Sequence, residues 1–298
     1  MEYTQLGASS LMVSSIGFGC MSLRPGAADN ERLLQEAAAS GINFFDTADL
    51  YDRGENERLV GKALKERRRN VIIATKVGNQ WRPDGSGWDW NPKKAYILSA
   101  VEDSLRRLDT DYIDLYQLHG GTIEDPFEET LEAFHQLQQQ GKVLYYGISS
   151  IRPNVIRRWT EHSALASVMM QYSLLDRRPE ESALPLLQNQ GIGVLARGGL
   201  AQGLLAGKPA KYYLNHTETA VSQAAQAVKE VSGPHRSPAQ TALRYVLQHP
   251  AVTSVIAGIR TQEQLNEARG AVESPALTPE ELAFLRGAVR GNVYEQHR

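Results

Sequence analysis

The sequence predicts a (β/α)8 TIM barrel that is preceded by a small β-hairpin. Two observations favour this fold. Short apolar runs alternate with amphipathic helical segments along nearly all of the 298 residues, which is the order that parallel α/β proteins show. No linker or shift in composition divides the chain, and its length suits one such barrel. We therefore expect a single domain over residues 1–298, with the hairpin at 2–14 and a carboxyl-terminal tail at 287–298.

Eight apolar runs have the length and the turn-bounded pattern of buried parallel strands. They cover residues 16–19, 42–45, 71–75, 113–118, 143–148, 167–170, 192–196 and 254–257. An open doubly wound sheet is the alternative fold, but it usually has fewer strands, and a glycine fingerprint normally follows its first strand. The segment Gly17-Phe18-Gly19-Cys20-Met21-Ser22 has the first two glycines of that fingerprint and lacks the third. The closed barrel is therefore the predicted fold.

Capping residues predict where several helices begin. Asp29 is placed to cap a helix that Gly41 ends. Asp125-Pro126-Phe127-Glu128 offers a cap, a proline at the first helical position and an acid at the third. Ser237-Pro238-Ala239-Gln240 and Thr278-Pro279-Glu280-Glu281 each fit a capping box.

Composition excludes several classes of function. The formal net charge of -2 gives no electrostatic basis for binding nucleic acid or an anionic membrane. The single cysteine, Cys20, excludes an internal disulfide and a cysteine-based zinc site. No apolar run approaches the roughly 18 residues of a membrane-spanning helix, and no secretory signal pattern opens the chain. We expect a cytoplasmic protein whose partner is a small molecule, and the sequence leaves the oligomeric state open.

Four polar residues of different chemistry follow three successive strands. Asp46 and Tyr51 come after the second predicted strand, Lys76 after the third and His119 after the fourth. Adjacent parallel strands lie about 4.8 Å apart, and parallel α/β proteins hold their chemistry at the carboxyl ends of their strands. We therefore expect these four side chains to converge on one site.

The four residue types suit the reduction of a carbonyl group. A free phenol with a pKa near 10 is a weak acid at neutral pH, and a shift of about three units needs about 4 kcal/mol of differential stabilisation. Lys76 supplies a cation beside the developing phenolate of Tyr51, and Asp46 holds that lysine charged. His119 positions the carbonyl oxygen as a hydrogen-bond donor. No nucleophile, second carboxylate or metal-ligand spacing accompanies them, so an external hydride donor is expected.

The motifs Asp46-Thr47-Ala48-x-x-Tyr51, Thr75-Lys76 and Leu118-His119, in this order, resemble those of the aldo-keto reductase superfamily. The resemblance extends from the amino-terminal hairpin to the helix after Ile256-Ala257-Gly258. It implies a (β/α)8 barrel that binds NADPH or NADP+ in extended form without a Rossmann domain. It also implies a catalytic tetrad of Asp46, Tyr51, Lys76 and His119.

The resemblance also implies a set of cofactor-binding positions. Ser149 and Gln171 match the residues that hold the nicotinamide carboxamide, and Arg197 stands where a tyrosine usually stacks on the nicotinamide. A guanidinium there disfavours the positively charged oxidised ring, so a preference for NADPH over NADP+ is expected. Further positions expected at the cofactor are Gly19, Cys20 and Met21 after the first strand, Asp46, and the pyrophosphate loop of Gly198, Gly199, Leu200, Ala201, Gln202 and Gly203.

The adenosine end of the cofactor is expected after the last strand. Gly258 occupies the place of a lysine that is common elsewhere in the family, which leaves Arg260 as the cation for the 2′-phosphate. Gln264 and Glu267 match positions near the adenine. Because Thr261 and Gln264 also fit a capping box, a purely structural role explains Gln264 as well.

The sequence leaves the substrate open and permits two rival functions. A long loop is expected over residues 79–92, and its three tryptophans either line a substrate pocket or fix the loop: Trp81, Trp88 and Trp90. One rival function is a cofactor-bound sensor or regulatory subunit with little turnover. The other is a barrel aldolase or isomerase that uses Lys76 as a Schiff base.

Overall fold

The computed structural model describes residues 1–298 and contains a closed barrel of eight parallel strands, as predicted. Two short antiparallel sheets lie outside the barrel, and one of them is the amino-terminal hairpin. In chain order the strands are β1 Tyr3–Gln5, β2 Met12–Ser14, β3 Ile16–Gly19, β4 Phe44–Asp46, β5 Ile72–Val77, β6 Asn79–Trp81, β7 Trp88–Trp90, β8 Ile113–Leu118, β9 Val143–Ser149, β10 Ser167–Gln171, β11 Gly193–Arg197 and β12 Val252–Gly258. The barrel closes in the order β10-β11-β12-β3-β4-β5-β8-β9.

Ten α-helices surround the barrel. They are α1 Asn30–Ala39, α2 Glu55–Leu64, α3 Lys94–Leu108, α4 Phe127–Gln139, α5 Pro153–His162, α6 Ala183–Asn189, α7 Glu218–Val231, α8 Pro238–Leu247, α9 Gln262–Glu273 and α10 Pro279–Ala288. The capping boxes predicted at Ser237 and Thr278 are both confirmed. Asp29 occupies the N-cap of α1 as predicted, although its side chain makes no cap hydrogen bond. The prediction for Asp125 is wrong, because the N-cap of α4 is Pro126. The Asp125 carboxylate instead accepts hydrogen bonds from Thr122 and Trp90.

The amino-terminal hairpin fills the end of the barrel opposite the predicted site. Its Leu6, Leu11 and Val13 are buried in one apolar cluster with inward-facing residues of the barrel strands. Those barrel residues are Phe44, Ile72, Ala74, Leu115, Met169, Leu195 and Ile256. The interior is therefore a packed core closed at its amino-terminal end, which leaves the carboxyl ends of the strands as the place for chemistry.

The segment predicted as a long loop contains a second hairpin. Strands β6 and β7 pair antiparallel, with Trp81 opposite Trp88 and Asn79 opposite Trp90. The prediction missed these strands because each has only three residues, which is too short for an apolar alternation to be distinctive. Asp84-Gly85 at the turn was the available signal, since this dipeptide favours hairpin turns. None of the helices has both the length and the apolar character that spanning a membrane requires.

Candidate active site

Lys76 lies at the centre of a compact polar cluster at the carboxyl ends of β4, β5 and β8. Its ammonium nitrogen donates to Asp46 Oδ2 at 2.7 Å, to the Thr47 carbonyl at 2.8 Å and to the Tyr51 hydroxyl at 3.3 Å. Lys76 is only 1% exposed. Three acceptors therefore replace the water that a charged ammonium loses on burial.

His119 completes the cluster from the end of β8. Its backbone N–H donates to the Val77 carbonyl at 2.7 Å, which extends the β5–β8 ladder by one residue. Its carbonyl accepts from Asn79 Nδ2 at 3.3 Å. The imidazole meets the Tyr51 ring edge-on, with centroids 5.8 Å apart and planes at 81°. The four residues expected to converge are therefore neighbours in the structure.

Burial and the Lys76 charge act in opposite directions on Asp46 and Tyr51. Burial raises the pKa of the Asp46 carboxyl, and Lys76 counteracts part of that rise. Burial also raises the pKa of the Tyr51 phenol above 10, although Lys76 lowers it. The net lowering expected for Tyr51 is therefore absent in the resting site, where burial outweighs the cation. Lys76 itself loses affinity for its proton through burial, but Asp46 and Tyr51 outweigh that effect and raise its pKa.

His119 is a neutral imidazole at physiological pH. Burial, the Lys76 cation and the Arg197 cation together lower its pKa from 6.5 to about 3. A neutral imidazole carries one N–H and one acceptor nitrogen. Nδ1 is buried and has no hydrogen-bond partner in the protein. Because Nδ1 lies inside the protein, Nε2 is the ring nitrogen that can orient a polar group of a bound molecule.

The predicted nicotinamide positions lie on adjacent strand ends. Gln171 is in register with Arg197 across β10 and β11, and Ser149 is in register with Met169 across β9 and β10. Arg197 Nη1 donates to Gln171 Oε1 at 3.0 Å, and Gln171 Nε2 donates to the Tyr213 hydroxyl at 2.9 Å. The Arg197 charge also lowers the pKa of Tyr51 and of His119. Arg197 is therefore an exposed cation close to the tetrad.

The segment predicted to wrap a pyrophosphate turns sharply after β11. Gly198 has a φ of 76°, and a Cβ there would lie 3.2 Å from Gln171 Cγ, so only glycine fits well. Ala201, Gln202 and Gly203 also have positive φ values. The Ala201 and Gly203 N–H groups donate to the Gly198 and Leu200 carbonyls within the turn, so the remaining N–H groups of the turn are the ones available to an anion.

A side chain at Gly258 would require the Ser22 hydroxyl to move. A Cβ at this position would lie 2.3 Å from Ser22 Oγ, in the loop after β3. Arg260 is exposed, and its side chain makes no ion pair. Gln264 accepts from the Arg260 backbone N–H at 3.0 Å rather than from Thr261, so the capping box predicted there is incomplete. Glu267 hydrogen-bonds Ser237 and is therefore already engaged within the protein.

The remaining predicted cofactor residues lie around the end of β3. Gly19 is in register with Asp46 on one side and with Gly258 on the other. Cys20 is fully buried, with its thiol against the Phe18 carbonyl, whereas Met21 is 67% exposed. Only Met21 of this group presents a side chain to solvent.

The three tryptophans have different roles. Trp90 fixes its hairpin, because its indole N–H donates to Asp125 Oδ1 at 2.9 Å and its ring fills the space beside Gly78 and Gly120. Trp88 is 47% exposed. Trp81 borders a cavity of about 890 Å³ between α1, α2 and the loop after β3, which none of the four tetrad residues lines. The prediction of a substrate pocket stays a prediction for Trp81 and Trp88.

Comparisons with known proteins agree with this geometry. A family model described as the Aldo/keto reductase family matches residues 15–290. Oxidoreductase YqkF of Bacillus subtilis (strain 168), named as uncharacterized, is 50% identical over 309 aligned residues that cover both chains completely. The chain belongs to the aldo/keto reductase family. It is therefore an oxidoreductase of a family that uses nicotinamide cofactors.

Solved structures of other family members share the whole fold. The holo form of aldo-keto reductase AKR11C1 from Bacillus halodurans is 50% identical, with a TM-score of 0.94 over 100% of this chain and 99% of that chain. The apo form of the same enzyme gives a TM-score of 0.85. Glycerol dehydrogenase AKR11B4 from Gluconobacter oxydans is 25% identical, with a TM-score of 0.85 over 99% of this chain and 98% of that chain. This aldo/keto reductase is therefore more similar to the holo form of AKR11C1 than to its apo form.

Sequence reasoning missed residues that support the tetrad of this aldo/keto reductase. Gln117 is buried on β8, and its amide donates to Asp46 Oδ1 at 3.4 Å. The available signal was a glutamine within an apolar run, where a buried polar side chain needs a partner.

Proposed function

We propose that the protein is an NADPH-dependent oxidoreductase that reduces aldehydes or ketones to alcohols, with Tyr51 as the proton donor. The observation that carries this proposal is the position of Lys76, whose ammonium contacts both Asp46 and the Tyr51 hydroxyl while His119 packs against the Tyr51 ring. A bound nicotinamide supplies the hydride for the carbonyl carbon. Tyr51 supplies the proton for the carbonyl oxygen, which completes the alcohol.

The cluster favours proton release from Tyr51 when negative charge develops on its oxygen. The raised pKa keeps the phenol protonated at neutral pH, so the proton is present at the start of the reaction. Lys76, at 3.3 Å from the hydroxyl, stabilises the phenolate as it forms. Asp46 and the Thr47 carbonyl hold the ammonium in place, so little reorganisation is needed at that moment.

His119 orients the substrate rather than transferring a proton. With a pKa of about 3, its imidazole is neutral across the working pH range. Its N–H can donate to the carbonyl oxygen and place that oxygen beside the Tyr51 hydroxyl. Burial excludes water from this contact, which strengthens it.

The residues present fit a nicotinamide dinucleotide. Ser149, Gln171 and Arg197 occupy neighbouring strand ends, and the turn from Gly198 to Gly203 offers for a pyrophosphate those backbone N–H groups that it does not use internally. Arg260 is an exposed cation at the start of α9 without a carboxylate partner. Preference for NADPH over NADH rests on Arg260, because NADH lacks the 2′-phosphate that a guanidinium binds.

The Schiff-base alternative receives no support from Lys76. A nucleophilic lysine needs a lowered pKa, whereas Asp46 and Tyr51 raise the pKa of this one. Its three hydrogen bonds leave the ammonium no free direction of attack. We therefore assign Lys76 an electrostatic role.

The first experiment is a fluorescence titration with NADPH and with NADH, followed by absorbance assays with a panel of aldehydes and ketones. Tighter NADPH binding with turnover is the expected result. Tyr51→Phe should then lower kcat by about 10²–10⁴-fold, the usual contribution of a general acid, with nearly unchanged cofactor affinity. Tight binding without turnover on any substrate would favour a sensor role, and loss of cofactor binding in Tyr51→Phe would contradict the role given to this residue.

A further inference from the structure

The backbone immediately after Tyr51 is strained. Asp52, Arg53 and Gly54 have successive φ values of 47°, 54° and 87°, all in the left-handed region. Glycine adopts this region freely, whereas an aspartate and an arginine in succession do so only under strain. Such a conformation persists where surrounding contacts hold it.

Those contacts come from the hairpin β6–β7. On the amino-terminal side of Tyr51, the Trp81 indole N–H donates to the Leu50 carbonyl at 3.3 Å. On the other side, the Arg53 guanidinium lies 5.1 Å from the centre of the same indole and donates to the Gly85 carbonyl at 3.0 Å. We call these three contacts the clasp. Tyr51 is thus attached to one hairpin through residues on both sides of it.

Gly85 leaves room for the guanidinium. A Cβ at this position would lie 3.1 Å from one terminal nitrogen of Arg53 and 3.3 Å from the other. Its φ of 72° also lies in the left-handed region. Both features make glycine the fitting residue while Arg53 holds the turn of the hairpin.

We propose that Arg53 is a positioning residue for Tyr51. Through the clasp it holds the strained turn and so sets the 3.3 Å distance between the Tyr51 hydroxyl and Lys76 Nζ. The inference rests on the proposed function, because this distance affects the rate only if Tyr51 releases a proton. When the clasp is removed, the turn relaxes and the hydroxyl moves away from Lys76 and His119. A displacement of about 1 Å at a reacting group lowers the rate by about 10²-fold.

The test compares three variants with a matched control in the same hairpin. Arg53→Ala removes the two contacts of the clasp that Arg53 makes. Gly85→Ala displaces the guanidinium, and Arg53→Lys keeps the cation but loses the planar fork. Arg82→Ala is the control, because Arg82 pairs with Asp89 inside the hairpin and contacts no residue near Tyr51. For each variant we would measure kcat, KM, the NADPH dissociation constant and the pH dependence of kcat for carbonyl reduction.

Arg53→Ala and Gly85→Ala should lower kcat by about tenfold to hundredfold, with NADPH affinity unchanged. Arg53→Lys should retain part of the activity, and Arg82→Ala nearly all of it. The alkaline limb of the kcat profile should move to higher pH in Arg53→Ala, because a phenol farther from Lys76 has a higher pKa. A role of the clasp in stability alone would not move this limb.

Two outcomes would overturn the proposal: Arg53→Ala with the kcat of the control, or a change confined to KM with an unshifted alkaline limb. The second outcome would show that the hairpin contributes to substrate binding and does not position Tyr51. A wild-type protein without turnover would contradict the proposed function instead. In that case the ionisation of Tyr51 can still be followed by ultraviolet absorbance, with Tyr51→Phe as the reference that lacks this phenol. This titration would test whether Arg53→Ala raises the pKa of Tyr51.

Discussion

Replacement of Lys76 by methionine removes the cation from the tetrad while keeping most of the side-chain volume. At 3.3 Å from the Tyr51 oxygen, a unit charge at an effective dielectric constant of 20 stabilises a full phenolate by about 5 kcal/mol. Only part of that charge has developed in the transition state. We therefore expect kcat to fall by about a thousandfold, which corresponds to about 4 kcal/mol.

The same substitution leaves Asp46 buried without its cation. Loss of one partner of a buried pair destabilises a protein by about 3–5 kcal/mol. Burial already raises the pKa of Asp46, and without Lys76 this pKa rises further. The folded variant then binds a proton that the unfolded chain releases near pH 4, so its stability falls as the pH rises above that value.

The assay combines single-turnover kinetics at saturating NADPH with urea unfolding at pH 5 and pH 8. Lys62→Met is the matched control, because Lys62 forms an exposed pair with Glu31 and its side chain is 71% exposed. A kcat within tenfold of wild type in a variant that still binds NADPH would refute the electrostatic role of Lys76. Equal destabilisation at pH 5 and pH 8 would refute the prediction that Asp46 binds a proton in the folded variant.

Two further predictions concern Arg197 and His119. Arg197→Tyr should raise the affinity for NADP+ relative to NADPH by about tenfold, since a cation beside the oxidised nicotinamide is unfavourable; equal affinities of the wild-type protein for both forms, measured by fluorescence titration, would contradict this. His119 has a pKa of 6.5 when unfolded and about 3 when folded, so the unfolded chain binds more protons between these values and stability falls as the pH falls. Between pH 7 and pH 5 the unfolding free energy of the wild-type protein should fall by about 2 kcal/mol more than that of His119→Gln. Urea unfolding of both proteins at the two pH values measures this difference.

The sequence by itself determined the barrel and the residues that converge in it. The alternation of apolar runs with helical segments predicted eight parallel strands, because each run is short enough for a strand and buried on both faces. Once the strands are parallel and adjacent, their carboxyl ends share one face. The proximity of Asp46, Lys76 and His119 then follows from their positions at the ends of β4, β5 and β8.

Only the tertiary structure decided which side chains support that cluster. The amide of Gln117 reaches Asp46 across 71 positions of the chain, and Arg53 reaches Gly85 across 32. Such contacts depend on barrel closure and on where the β6–β7 hairpin folds. The local sequence pattern predicts neither barrel closure nor the position of this hairpin, because strand register and side-chain direction are set by packing against distant elements. The different roles of two tryptophans also depend on packing. Trp90 donates to Asp125 and fixes the hairpin, whereas Trp81 donates to the Leu50 carbonyl beside Tyr51.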